Sequence, residues 1–73
     1  MTDHEPLTFL AATRIEQALH RQHLTQRHLA ALSGVSEGTI RRVLDGQNVQ
    51  LATLEKIATA LKLEVAQLIA RAA

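Results

Sequence analysis

The sequence lacks cysteine and has little proline or aromatic character, and each scarcity excludes a way of building a small domain. With no cysteine among 73 residues, neither disulfide bonds nor a thiolate metal cluster can support the fold. One proline and one phenylalanine, beside abundant alanine and leucine, favour helices. The chain must therefore gain its stability from helix packing, from oligomerisation or from both.

Long hydrophobic runs are missing as well. None approaches the roughly 18 consecutive apolar residues that a membrane span requires. The N-terminus does not show a basic segment followed by an apolar one, which is the pattern of a secretion signal. We therefore expect a soluble, cytoplasmic protein.

Support for catalysis is also weak. Without cysteine, with serine, histidine and aspartate at no suggestive spacing, and without a glycine-rich phosphate loop, the sequence offers no catalytic set. We predict that the chain is not an enzyme, and we expect no cofactor and no bound metal.

Positive charge is concentrated in the middle of the chain. The net charge is only +1, but residues 14–42 carry five arginines against two glutamates. Residues 1–13 are acidic, and residues 43–73 are balanced. For binding a polyanion, the position of the charge matters more than its sum. The sequence predicts a basic patch on a nearly neutral body.

Helical periodicity predicts five helices, in one domain of residues 7–73 that follows a flexible tail at residues 1–6. Pro6 suits the first position of the first helix. Apolar residues at helical spacing predict the buried face of each helix. These are Leu7, Ala11, Ile15, Ala18 and Leu19 in the first helix, Leu29, Ala30 and Leu32 in the second, Ile40, Val43 and Leu44 in the third, Leu51, Leu54, Ile57, Ala58 and Leu61 in the fourth, and Val65, Leu68 and Ile69 in the fifth.

Capping residues mark the ends of the second and third helices. Thr25 and Ser36 are suitable N-caps. Gly34 and Gly46 follow the same two helices, and glycine adopts the positive φ that such an end requires.

Residues 26–45 form the most informative unit of the sequence. Ala30 supplies a small side chain where two helices must cross closely, and a glycine follows four positions later. Ile40, a β-branched residue six positions beyond that glycine, anchors the second of the two helices. This spacing is typical of a helix-turn-helix.

Several short stretches accompany this unit: Leu24-Thr25-Gln26, Leu29-Ala30, Gly34-Val35-Ser36, Thr39-Ile40, Asp45-Gly46 and Leu54…Ile57-Ala58…Leu61. With them, residues 24–69 resemble the lambda-repressor-like family of helix-turn-helix regulators, of Xre or Cro type. The resemblance implies a compact all-α domain of five helices that binds double-stranded DNA. It further implies a sequence-specific repressor that binds a near-palindromic operator as a homodimer, with the helix that begins at Ser36 in the major groove.

The resemblance also implies which residues face DNA. Its base-reading positions correspond to Glu37, Gly38, Thr39, Arg41 and Arg42, and its phosphate positions to Gln26, Arg27, Ser36, Gln47 and Asn48. Arg42 is the first choice for a bidentate contact to guanine. Thr39 can contact a thymine methyl group or a phosphate. Glu37 can accept a hydrogen bond from cytosine N4, or it can repel the DNA backbone and so restrict register.

The chain departs from the family pattern at several positions. Gln47-Asn48-Val49-Gln50 stands where lysine or arginine commonly clamps a phosphate, which weakens binding and flattens its salt dependence. Leu19 and Leu44 replace an arginine–glutamate pair of many relatives, which we interpret as a variation of the core. Lys62 stands where glycine is frequent, so the geometry of the last joint is left open.

Two pairs of residues have competing interpretations. His20 and His23 lie three apart, but without a third ligand of matching spacing we interpret them as groups at the C-terminal end of the first helix rather than as a metal site. Phe9 and Leu10 lie off the apolar stripe of that helix. They either cover the last helix within one subunit or form part of a dimer contact.

An alternative function belongs to another class of protein. Many antitoxins of toxin–antitoxin pairs carry the same domain, so binding of a toxin and binding of DNA need not exclude each other. The weakly basic surface and the position of Phe9 and Leu10 keep this alternative open. A small toxin-like gene beside this one would favour it.

Overall fold

The computed structural model describes the backbone of residues 7–69 and the side chains of residues 11–69. Within this range the chain forms helices α1 (Leu7–Gln22), α2 (Gln26–Ser33), α3 (Glu37–Leu44), α4 (Leu51–Ala60) and α5 (Val65–Ile69), and no strand. The prediction of an all-α, five-helix fold is confirmed. None of the described helices is long and apolar enough to cross a membrane. The predicted tail at residues 1–6, with Pro6, lies outside the described residues.

Side-chain hydrogen bonds fix the beginnings of α2 and α3. The Thr25 hydroxyl accepts the His28 backbone N–H at 3.1 Å, and the Ser36 hydroxyl accepts the Thr39 backbone N–H at 3.2 Å. Both predicted N-caps are therefore confirmed. His28 Nδ1 also accepts the Thr25 backbone N–H at 3.3 Å, which closes a capping box with histidine in the place usual for glutamate or glutamine. At the other end of α2, Gly34 takes the predicted positive φ, 75°.

The ends of α1, α3 and α4 share one kind of turn. The residues that follow these helices, His23, Gly46 and Lys62, have φ values of 57°, 81° and 63°. After α4, the Leu63 N–H donates to the Ala58 carbonyl at 2.8 Å, which is the 6→1 hydrogen bond of a Schellman motif. The left-handed conformation predicted for Gly46 is confirmed. Lys62 adopts the same conformation without being glycine, which settles the geometry of the last joint.

The core is built from apolar side chains of all five helices. Among the described residues, α1 packs against α3 and α5, α2 packs against α3 and α4, and α4 packs against α5. The buried hydrophobic residues are Ala11, Ala12, Ile15, Ala18, Leu19, Leu29, Val35, Ile40, Val43, Leu54, Ile57, Ala58, Leu61 and Leu68. Leu19 is buried in this cluster and Leu44 is half-buried against it, which agrees with the interpretation of the two residues as a variation of the core.

Two leucines predicted to face the core do not do so. Leu32 is 60% exposed and Leu51 is 56% exposed. In α2 only Leu29 is buried, and Leu32 lies instead on the outer surface between α2 and α4. Leu51 is the first residue of α4, and the buried residues of that helix begin one turn later, at Leu54. The predictions for these two side chains were wrong because helical spacing alone does not show where the covering helix ends.

Candidate DNA-binding site

Helix α3 presents one face to the core and the opposite face to solvent. Ile40 and Val43 are 0% exposed. Successive side chains turn by about 100° around a helix, which places Gly38, Arg41 and Arg42 on the side away from these two residues. All three are exposed. We call Gly38, Arg41 and Arg42 the outer face of α3. The helix is anchored from behind, and no part of the described chain covers its arginines.

The outer face has a different neighbour on each side. On the side toward α2, Glu37 Oε2 lies 3.6 Å from Arg27 Nε. On the other side, Thr39 borders an open cleft of about 480 Å³ between α3 and the segment that leads to α4. The cleft is lined by Thr39, Arg42, Asn48, Val49, Gln50 and Thr53. The predicted base-reading residues therefore lie between two groups of predicted phosphate-binding residues.

The N-terminus of α2 borders the side of Glu37. Gln26 and Arg27 are its first two residues, and both are exposed. The first N–H groups of any α-helix have no partner within the helix, and the helix dipole favours an anion beside them. A phosphate placed here would meet the N–H groups of Gln26 and Arg27 together with the Arg27 guanidinium, since the His28 N–H is bonded to Thr25.

The segment after α3 borders the other side. The Gln47 N–H donates to the Arg42 carbonyl at 3.0 Å, which ties the beginning of this segment to the last turn of α3. Gln47 and Asn48 are exposed, and Val49 is half-buried against the core. Val49 thus anchors the segment, and its neighbours Asn48 and Gln50 line the cleft beside Arg42.

Ser36 contributes to the site mainly by capping the N-terminus of α3. Its hydroxyl accepts the Thr39 N–H and also donates to Thr39 Oγ1 at 2.9 Å. A hydroxyl has a single proton, so a bond from the Ser36 side chain to a phosphate would require this proton to leave Thr39. Thr39 acts as the acceptor in the pair and keeps its own proton for another group. A contact between Ser36 and phosphate stays a prediction.

Sequence reasoning missed three features of this surface. Thr53 lines the cleft beside Arg42, and a polar residue in the first turn of the helix after α3 was the available signal. The imidazole of His28 belongs to the capping box of α2, where the spacing from Thr25 was the signal. The ion pair between Arg27 and Glu37 depends on the angle between two helices, which spacing does not reveal.

His20 and His23 are exposed at the C-terminal end of α1. The described residues hold no group of three or more histidine, cysteine or acidic side chains that is placed to bind a metal. Phe9 and Leu10 belong to α1, but their side chains lie outside the described residues, so both interpretations of this pair stay predictions.

Comparison with known proteins identifies the family and the fold of the chain. The family model of the Cro/C1-type helix-turn-helix DNA-binding domain matches residues 14–73. Among solved structures, the fold is similar to that of the restriction-modification controller protein C.AhdI from Aeromonas hydrophila, with a TM-score of 0.77 and 34% sequence identity. The match covers 84% of this chain and 94% of C.AhdI. No significant match was found among curated proteins. Neither of the two matches is named as an enzyme.

Proposed function

The chain belongs to the Cro/C1-type helix-turn-helix DNA-binding family and is a DNA-binding transcription regulator, and on this basis we propose that it represses transcription as a homodimer on a near-palindromic operator. In this proposal α3 of each subunit enters the major groove of one half-site. The two half-sites lie about one helical turn apart, as they do for other dimeric helix-turn-helix proteins.

The observation that carries the proposal is the exposure of Arg41 and Arg42 on a helix whose opposite face is buried in the core. A side chain that reads bases must be uncovered, while the helix that carries it must not shift. Ile40 and Val43 supply the second condition, because both are completely buried in the core. A helix with its side chains is about 10–12 Å across, and it fits the major groove, which is about 12 Å wide.

The position of each side chain suggests its role on DNA. Arg42 is the candidate for a bidentate bond to guanine, since its guanidinium fork matches the O6 and N7 acceptors. Thr39, which lines the cleft, is the candidate for a contact to a thymine methyl group or a phosphate. The phosphate contacts are proposed for Gln26, Arg27, Ser36, Gln47 and Asn48. Because most of these are neutral, we expect a weaker salt dependence than in relatives with lysine or arginine at these positions.

Selection of preferred duplexes from a random pool at moderate salt tests the proposal. We expect a single motif with two similar halves. The control is the Lys56→Ala variant, which lacks one cation on the surface between α2 and α4. It should select the same motif as the wild type. Recovery of no preferred sequence by the wild-type protein would overturn the proposal.

The dimer is tested by sedimentation at micromolar concentration, with and without the selected duplex. We expect a dimer in both samples. A monomer that dimerises only on DNA would restrict the proposal to assembly on the operator. A monomer in both samples would contradict it.

The direction of regulation is tested with a reporter gene whose promoter contains the selected site. We expect transcription to fall when the protein is supplied. Transcription that rises would replace repression with activation while leaving DNA binding intact.

A more specific candidate function is control of neighbouring restriction-modification genes. It is favoured by the similarity to C.AhdI, which is named as a controller of this kind and is covered over 94% of its length. Footprinting on the promoter of this gene and of its neighbours is the test. Protection there, beside genes for a nuclease and a methyltransferase, would support it. A toxin-like neighbour whose product binds this protein would instead support the antitoxin hypothesis.

A further inference from the structure

Arg27 and Glu37 form an ion pair between the two helices of the helix-turn-helix. Arg27 is the second residue of α2 and Glu37 the first residue of α3. Their side chains are 86% and 50% exposed, and the charged atoms lie 3.6 Å apart. Pairs this exposed contribute little to stability, because water and salt screen them. The consequence of the pair must therefore be sought at the surface on which it lies.

That surface is the one proposed to meet DNA. Glu37 borders the outer face of α3, and a bare carboxylate there would be repelled by the phosphates of a duplex. The dipole of α3 stabilises a negative charge at this end of the helix, but it does not fix the direction of the side chain. The Arg27 guanidinium offsets this charge, and its attraction for the carboxylate favours the side-chain direction in which Oε2 lies 3.6 Å from Nε.

We propose that Arg27 is a positioning residue for Glu37, and that the pair acts as one specificity-determining unit for an amino group on a base edge. Cytosine N4 is the group of this kind that pairs with a carboxylate in the major groove. Arg27 holds the carboxylate at the α2 side of α3 and offsets its repulsion from the backbone. This inference rests on the proposed function, because it applies only to a protein that reads DNA with α3.

A double-mutant cycle tests the inference. It compares the wild type, Arg27→Ala, Glu37→Gln and the double variant, with dissociation constants measured on the preferred duplex and on duplexes changed at single positions. Glu37→Gln removes the charge and keeps the shape. Thermal unfolding of each variant confirms that it folds, which the exposure of both side chains leads us to expect.

Arg27→Ala should be more damaging while the carboxylate is present. In the wild-type background it removes a phosphate contact and also leaves Glu37 unshielded, whereas in the Glu37→Gln background it removes the phosphate contact alone. We expect the two losses of affinity to differ by about threefold or more, as coupled neighbours do. Both single variants should lose the preference at the same base position.

Two further variants separate positioning from simple attraction to phosphate. Gln26→Ala, the matched control at the same helix end, should lower affinity equally in both Glu37 backgrounds and leave the base preference intact. Arg27→Lys keeps the charge but not the guanidinium group. Compared with Arg27→Ala, it should therefore recover more of the affinity than of the base preference.

The outcomes distinguish this inference from the proposed function. If the cycle is additive and Arg27→Ala retains the base preference, Arg27 is only a phosphate contact and the inference is wrong, although α3 still reads DNA. If the wild-type protein prefers no sequence at all, the proposed function fails and the inference fails with it.

Discussion

The two faces of α3 are opposite in both burial and charge. The inner face consists of Ile40 and Val43, which are completely buried. The outer face consists of Gly38, Arg41 and Arg42, which are exposed and have no part in the hydrophobic core. A helix of eight residues thus carries the central anchor of the fold and the proposed reading surface on opposite sides.

If the outer face reads bases, as we propose, this division separates the choice of the DNA sequence that is bound from the stability of the fold. Side chains on the inner face determine the free energy of unfolding, because apolar burial is the main stabilising contribution in a chain without disulfides. Side chains on the outer face are expected to determine which bases are bound. Substitutions on the two faces should therefore affect different measurements.

The largest expected effect is on the inner face. Ile40→Ala should lower the free energy of unfolding by about 2–5 kcal/mol, because it removes buried methyl groups and leaves a cavity. Domains are usually stable by only about 5–15 kcal/mol, so a loss of this size is expected to increase the fraction of unfolded molecules. Urea unfolding measures this loss. The control is Leu51→Ala, at a side chain that is 56% exposed, which should change stability by less than about 0.5 kcal/mol. Equal losses for both variants would contradict the division.

Arg42→Ala tests the outer face. It should weaken binding to the preferred site by about 1–3 kcal/mol and relax the preference at one base pair. Its stability should stay within about 0.5 kcal/mol of the wild type, since the side chain is exposed. Titration of preferred and random duplexes measures the effect, with Lys56→Ala as the control of equal charge. Losses of equal size on both duplexes would show that Arg42 contacts only phosphate.

Ser36→Ala lies at the boundary between the two faces. It should reduce stability by about 1 kcal/mol, because the N-cap bond to the Thr39 N–H is lost. The Thr39 hydroxyl also loses its donor. Ser36→Asn keeps a capping acceptor and should recover most of the stability. If the asparagine variant is as unstable as the alanine variant in urea, the cap is not the cause.

Gly38→Ala has the smallest expected effect and the opposite sign. An added Cβ meets nothing within 4 Å, and the φ of Gly38 is not positive, so the variant should be more stable by about 0.5–1 kcal/mol. The added methyl group lies on the outer face, where we expect it to weaken DNA binding. Gly34→Ala is the matched contrast, since it also meets no atom but has a φ of 75° and should lose stability. The same sign for both would contradict this account.

Local signals made much of the fold predictable. The caps at Thr25 and Ser36 and the left-handed turns at Gly34 and Gly46 depend on a few neighbouring residues, and all four are confirmed. The regular spacing of apolar residues in α1 and α4 identified most of their buried faces. Leu51 is the exception in α4, because its burial depends on how far the covering helices reach.

The candidate site was less predictable, because it depends on contacts between helices. The sequence placed Arg27 and Glu37 on the same motif, but only the angle between α2 and α3 brings their charges together. The cleft beside Arg42 likewise depends on the path of the segment that Val49 anchors. Lys62 shows the same limit, since it adopts a left-handed φ of 63°, which a residue other than glycine does not favour by itself.

The central claim is that the outer face of α3 contacts bases in the major groove, and methylation protection of guanine N7 tests it most directly. N7 lies in the major groove and is one of the two atoms that an arginine fork binds. We predict that the wild-type protein protects guanines in two half-sites about one helical turn apart, and that Arg42→Ala loses this protection while still binding. Saturation of the preferred duplex without protection of any guanine N7 would contradict the account.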